Sequence, residues 1–97
     1  MLGGGITMKI YLTKGINDKI ADDIKFAKEI VDFLKSYCKH DFGDLDEYDK
    51  KMNEDAIKYG GRILAAYHTK GGEKIYIITE NTLAKEWVTT VMFASEY

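Results

Sequence analysis

The chain changes its apolar rhythm several times, and each change marks an element. In "ITMKIYLT" (6–13), Ile6, Met8, Ile10 and Leu12 alternate with Thr7, Lys9, Tyr11 and Thr13. This period of two, rich in β-branched and aromatic residues, predicts a strand. Gly15 breaks it, and Asn17 or Asp18 can cap a helix running from Asp18 to about Cys38. There Ile20, Ile24, Ala27, Val31 and Leu34 recur at three- and four-residue steps, and Phe26, Ile30, Phe33 and Tyr37 widen the stripe. So broad an apolar face predicts burial against a sheet and a flanking element.

A second helix is expected from about Asp44 to Tyr59, with Leu45, Tyr48, Met52, Ala56 and Tyr59 as a narrower stripe and Gly60-Gly61 ending it. "RILAAYHT" (62–69) and "EKIYIIT" (73–79) then alternate again, joined by Lys70-Gly71-Gly72 as a hairpin. "EWVTTVMF" (86–93) supplies a last strand. The order β-α-α-β-β-β predicts an α+β domain, two helices packed on one face of a mainly antiparallel four-stranded sheet. With 97 residues and no linker or repeat, the expectation is a single domain over 1–97. Met8 offers an alternative start, in which case residues 1–7 are an extension.

The acidic stretch "HDFGDLDEYDKKMNE" (40–54) invites three motif assignments. Asp41-Phe42-Gly43 matches the magnesium triplet of protein kinases, but a chain this short has no room for the remaining kinase machinery. A calcium loop begun at Asp44 would place Tyr48 at its fifth position and Asp49 where the turn glycine belongs. Capping fits better: Asp44 accepts from the Glu47 amide and Glu47 reaches back, with Asp46 and Glu47 complementing the helix dipole and Gly43 permitting the entry. Gly43, Asp44, Glu47 and Gly60 are thus assigned structural roles, and no metal is expected here.

Capping leaves Asp49 and Asn53 over, four residues apart on the border of the stripe. Either one of them braces Arg62, or this acidic helix edge meets a partner. Trp87 reads as sheet-face core, with an exposed protein anchor as the alternative. His68 is the one candidate base and Tyr67 or Tyr76 the candidate acid, but no nucleophile with a nearby base emerges, so no catalytic residue is assigned. A lone strand histidine reads first as a surface or hydrogen-bonded residue.

Composition narrows the functions. Charged residues make up 31% and the net charge is -2. Residues 41–55 carry seven acids against Lys50 and Lys51, a local balance of -5, which leaves about +3 for the rest. The lysines are scattered and Arg62 is the one arginine, so nucleic acid is disfavoured. Cys38 alone excludes an internal disulfide and fits a reducing, cytoplasmic setting; no membrane span and no cofactor are expected.

The segment "DFGDLDEYDKKMNEDAIKYGGRILAAY" (41–67) resembles one found in small uncharacterised, "plasmid-related" proteins of bacterial plasmids, phages and integrated elements. The matching residues are Asp41, Phe42 (in place of tryptophan), Gly43, Asp44, Glu47, Asp49, Asn53, Gly60, Arg62, Leu64 and Tyr67, followed by "IYIITE" (75–80), "VTT" (88–90) and "EY" (96–97). Residues 1–40 depart from that pattern, and "NTLAKEW" stands where an arginine commonly follows the Thr-Glu pair. The resemblance implies a mobile-element context and transfers no activity.

The expectation is therefore a non-enzymatic protein-binding accessory or inhibitor protein, acting against a host defence factor, with Asp49, Asn53, Arg62 and Trp87 as partner-binding candidates. A ribosome-dependent, messenger-RNA-cleaving toxin of the RelE/ParE type is the enzyme alternative, on element order and length. A homodimeric structural module is the third.

Overall fold

Lys70-Gly71-Gly72 turns the chain back on itself as expected. In the computed structural model, which describes residues 7–97, β2 (Ile63–His68) and β3 (Lys74–Thr79) pair antiparallel around it, with Gly72 at a φ of 88°. Glu86–Phe93 forms β4, antiparallel to β3. Thr7–Leu12 forms β1, which lies on the far side of β4 and runs parallel to it. The sheet order is β1-β4-β3-β2, so the two last strands in sequence fill its centre. The expected extension at residues 1–7 falls mostly outside the described residues; Thr7 itself opens β1.

Three helices, one more than expected, connect β1 to β2: α1 (Lys14–Asp22), α2 (Ile24–Cys38) and α3 (Glu47–Tyr59). The long helix expected from Asp18 is two. Thr13 caps the first, and the break falls at Asp23, whose backbone is extended (φ -139°, ψ 101°). Its N–H bonds the Lys19 carbonyl while its carboxylate accepts from the amides of Lys25 and Phe26. One aspartate thus ends a helix and starts the next.

The break also rotates α2. Phe26, Ile30 and Tyr37 face inward, whereas Ile24 and Val31, expected in the stripe, are 72% and 50% exposed. Phe26 stacks on Phe93 of β4 and Phe33 on Tyr67 of β2, so α2 crosses the sheet from one strand to the other. The helix-facing side of the sheet carries Ile63, Ala65, Ile75, Ile77, Trp87 and Val91, all buried. Two threonines, Thr79 and Thr89, sit among them at 0% exposure, and both hydroxyls are satisfied. The Tyr37 hydroxyl bonds Thr79, whose Oγ1 lies 2.7 Å from that of Thr89. Burial pushes the Tyr37 phenol up to about 12, against the opposing pull of that hydrogen bond.

A 3-10 turn, Ala94–Glu96, closes the chain and brings Tyr97 edge-on to Tyr76 on the opposite side of the sheet.

Candidate functional site

α2 ends in a left-handed residue, His40 (φ 62°), with the Asp41 N–H bonded to the Ser36 carbonyl and the His40 N–H to that of Tyr37. This Schellman-type stop turns the chain toward the outer edge of β2. There residues 42–44 run beside the strand as a single parallel rung. The Ala66 N–H donates to the Phe42 carbonyl (3.1 Å) and the Asp44 N–H to the Ala66 carbonyl (2.7 Å). Gly43, at φ 80°, is demanded by this approach, because a Cβ would overlap the Ala66 carbonyl and press on the Tyr67 ring. The Tyr67 hydroxyl donates to the Asp41 carbonyl at 2.7 Å, and burial holds that phenol protonated well above its usual range.

Asp44 is therefore not the helix cap. Its amide serves the rung and its carboxylate lies 2.8 Å from Nδ1 of His68. Asp46 is the N-cap of α3, accepting from the Asp49 amide at 2.8 Å, with Glu47 and Asp49 in the first turn. The chain spends two residues on the β2 edge before the helix can begin, which shifts the cap from Asp44 to Asp46. Asp44 and Asp46 consequently serve separate ends. Among the described residues no three His, Cys, Asp or Glu side chains converge as a metal site.

Asn53 continues the edge where the rung stops. Its Oδ1 accepts from the Leu64 N–H (3.1 Å) and its Nδ2 donates to the Leu64 carbonyl (2.9 Å), and the residue is 3% exposed. A side-chain amide has the same donor and acceptor as a peptide, so Asn53 stands in for one residue of a further strand. Leu64 and Ala66 thus find partners for the backbone groups they turn outward.

The remaining candidates lie apart. Asp49 is half-buried on α3. Arg62 bonds the Tyr97 hydroxyl and lies over its ring, 5.3 Å from the centroid, instead of pairing with Asp49 or Asn53. Trp87 is 7% exposed, and its indole N–H donates to the Thr82 carbonyl at 3.1 Å. It is a core residue.

Thr82, which sequence patterns did not single out, ties these parts together. Its hydroxyl donates to the Ala56 carbonyl (2.6 Å) and accepts from the Gly61 N–H (3.0 Å), and its own N–H donates to the Gly61 carbonyl (3.1 Å). The end of α3, the turn into β2 and the β3–β4 connection meet at this one side chain. Gly60, at φ 94°, sits against Leu83 of the same connection.

With Asn53 and Ala56 inward, α3 turns Tyr48, Met52 and Tyr59 of the expected apolar stripe outward, while Ala56 is buried and Leu45, ahead of the helix, packs on the core. Tyr48, Met52 and Tyr59 are 71%, 52% and 75% exposed. At 100° per residue these three fall within about 40° of arc and span roughly 16 Å of helix. Glu47, Lys51, Glu54 and Lys58 flank them on the solvent side. His68 is oriented by Asp44, but both are largely exposed and no hydroxyl or thiol among the described residues hydrogen-bonds to the imidazole.

No described helix is long and apolar enough to cross a membrane. Comparison with protein-family models, curated proteins and solved structures gives no match.

Proposed function

We propose that this chain is a non-catalytic protein-binding module of a mobile genetic element, docking through the outward face of α3. One observation carries the proposal: a helix that buries Asn53 and Ala56 and packs Ile57 against the core, while its solvent side displays Tyr48, Met52 and Tyr59 in line. Aromatic and methionine side chains on an exposed helix are the residue types that anchor protein interfaces. Tyr48 and Met52 sit in the stretch 41–55 with a charge balance of -5, and Tyr59 follows just beyond it. The partner that fits is a protein groove, apolar at its floor and basic where it meets the exposed acids Asp41, Asp44, Asp46 and Glu47 at the start of α3, engaging the helix by anchors four and seven residues apart. A surface built to hold nucleic acid, such as that of a host defence nuclease, has such a basic margin, and the acids before and at the start of α3 would speed encounter with it. The mobile-element setting rests on the resemblance of residues 41–97.

The experiment is affinity capture from the bacterial host with the wild-type chain and with a Tyr48→Ala, Tyr59→Ala variant, alongside melting curves. A captured protein lost in the variant at unchanged stability supports the proposal. A partner kept by the variant but lost on changing Arg62 moves the interface to the Arg62–Tyr97 side. Cleavage of messenger RNA on ribosomes, abolished by His68→Ala, would replace the proposal with the RelE/ParE-like reading.

A further inference from the structure

The two edges of the sheet are treated differently. At β2 the outward backbone groups are met by Asn53, Phe42 and Asp44. At β1, among the described residues, nothing pairs with the outer edge. Thr7–Leu12 has no proline, no bulge and a single charge, Lys9, and such an edge is a template for another strand. Three apolar residues of this one strand are open to solvent: Ile10 at 44%, Tyr11 at 51% and Leu12 at 37%. Ile10 and Leu12 lie on the helix-facing side, in register with buried Thr89 and Val91, so α1 and α2 stop short of covering the core at this edge.

The geometry points to antiparallel pairing of β1 with β1 of a second copy of this chain, about a two-fold axis at Ile10. The orientation of β1 fixes which groups are offered. Thr13 donates its N–H inward to the Val91 carbonyl, so in a regular ladder Tyr11 and Lys9 also turn inward while Met8, Ile10 and Leu12 turn their N–H and C=O out. With the axis at Ile10, Ile10 faces its own copy, and Met8 faces Leu12 of the other chain. Every outward-turned residue then meets an outward-turned residue. The same register keeps faces matched: apolar Met8, Ile10 and Leu12 extend the core, while Lys9 comes opposite Tyr11 on the other face, a cation against an aromatic ring. Moving the axis to Lys9 would set two lysines against each other.

Two four-stranded sheets would become one, with α3 at each far end, because β1 and β2 are opposite edges. A dimer would thus present two copies of the α3 face, independently of what that face binds.

Sedimentation velocity on the full chain from micromolar to millimolar concentration tests this, with two variants. Ile10→Pro removes an outward donor at a position where an edge strand tolerates proline. Tyr11→Lys sets like charges opposite Lys9 without touching the core. The expected result is a wild-type dimer that both variants, folded by circular dichroism, shift to monomer. In register terms, a Lys9→Cys, Tyr11→Cys variant in a Cys38→Ser background should form inter-chain disulfides between positions 9 and 11 on oxidation. Should Ile10→Pro fail to fold, Tyr11→Lys and the cysteine pair decide alone. A wild-type monomer throughout, or a dimer indifferent to Tyr11→Lys, overturns the inference. A full chain that stays monomeric while one starting at Thr7 dimerises also overturns it, giving the edge to residues 1–6.

Discussion

Asn53 on α3 and Leu64 on β2 are joined by two hydrogen bonds, amide to peptide, so that a helix side chain completes the edge of a sheet. The bond pair fixes how α3 lies on β2, and with it which side of α3 faces water. Asn53→Ala should leave a buried N–H and a buried carbonyl unpaired, at about 1–3 kcal/mol for each group. Asn53→Leu, with the same branching at Cγ and bulkier ends, keeps the edge covered without its hydrogen bonds and should be nearly as unstable. Urea unfolding measures both, and a Leu variant of wild-type stability would show that the edge needs only cover.

The stripe on α3 was misleading for a physical reason. Apolar periodicity locates the buried side of a helix when that helix packs on a sheet face, as α2 does through Phe26, Ile30 and Tyr37. α3 packs on a strand edge, where backbone groups also need partners, so an asparagine takes an inward position beside Ala56. The hairpin at Gly71-Gly72 and the extent of β4 were legible because turn chemistry and period two are local signals. The parallel pairing of β1 with β4 and the role of Thr82 were not, since both depend on contacts between distant segments. Asp23 could have been recognised as a break, being a capping residue directly before Ile24 and three before Phe26. Of the four partner-site candidates, Asn53 and Trp87 are buried in the fold, Asp49 borders the α3 face, and Arg62 belongs to a separate cluster with Tyr97.

Helix capping gives a paired comparison. Asp46→Ala removes the acceptor for the Asp49 amide and should cost about 0.5–2 kcal/mol, the ordinary range for losing an N-cap. Asp44→Ala removes only an exposed contact to His68, since the Asp44 amide and not its side chain holds the rung on Ala66, and exposed pairs contribute about 0–1 kcal/mol. Thermal melts of the two variants should rank Asp46→Ala below Asp44→Ala. The reverse order would return the cap to Asp44.

Thr82→Val keeps the shape of the side chain and deletes the hydroxyl that serves both Ala56 and Gly61. The loss leaves a buried carbonyl and a backbone N–H without that partner, a cost of about 1–3 kcal/mol. Because the hydroxyl joins α3 to the β3–β4 connection, amide exchange should speed up at the C-terminal turn of α3 and around Gly61. An exchange change spread evenly over the sheet would mean that Thr82 acts through global stability alone.

Acid stability has one contribution that can be isolated. The Glu96 carboxylate accepts from the Thr13 hydroxyl (2.7 Å) and from the Phe93 N–H (2.9 Å), fastening the C-terminal turn to the residue between β1 and α1. The Thr13 bond, ahead of the Phe93 bond, holds its pKa below the usual 4.5. A carboxyl depressed in the folded state binds a proton less readily there than in the unfolded chain. Its stabilisation is therefore fully present above about 4.5 and is lost as pH falls through the lower folded value. Glu96 is open to solvent, so the effect is modest and weakens with salt. Glu96→Gln cannot ionise, and its melting temperature should lie below wild type at neutral pH and converge with it in strong acid. Thr13→Val, which removes the larger of the two hydrogen bonds together with the α1 cap, should lie below wild type at every pH, with the gap narrowing in acid. Parallel melting curves for wild type and Glu96→Gln from pH 7 to pH 2 would assign the acid sensitivity to other carboxylates.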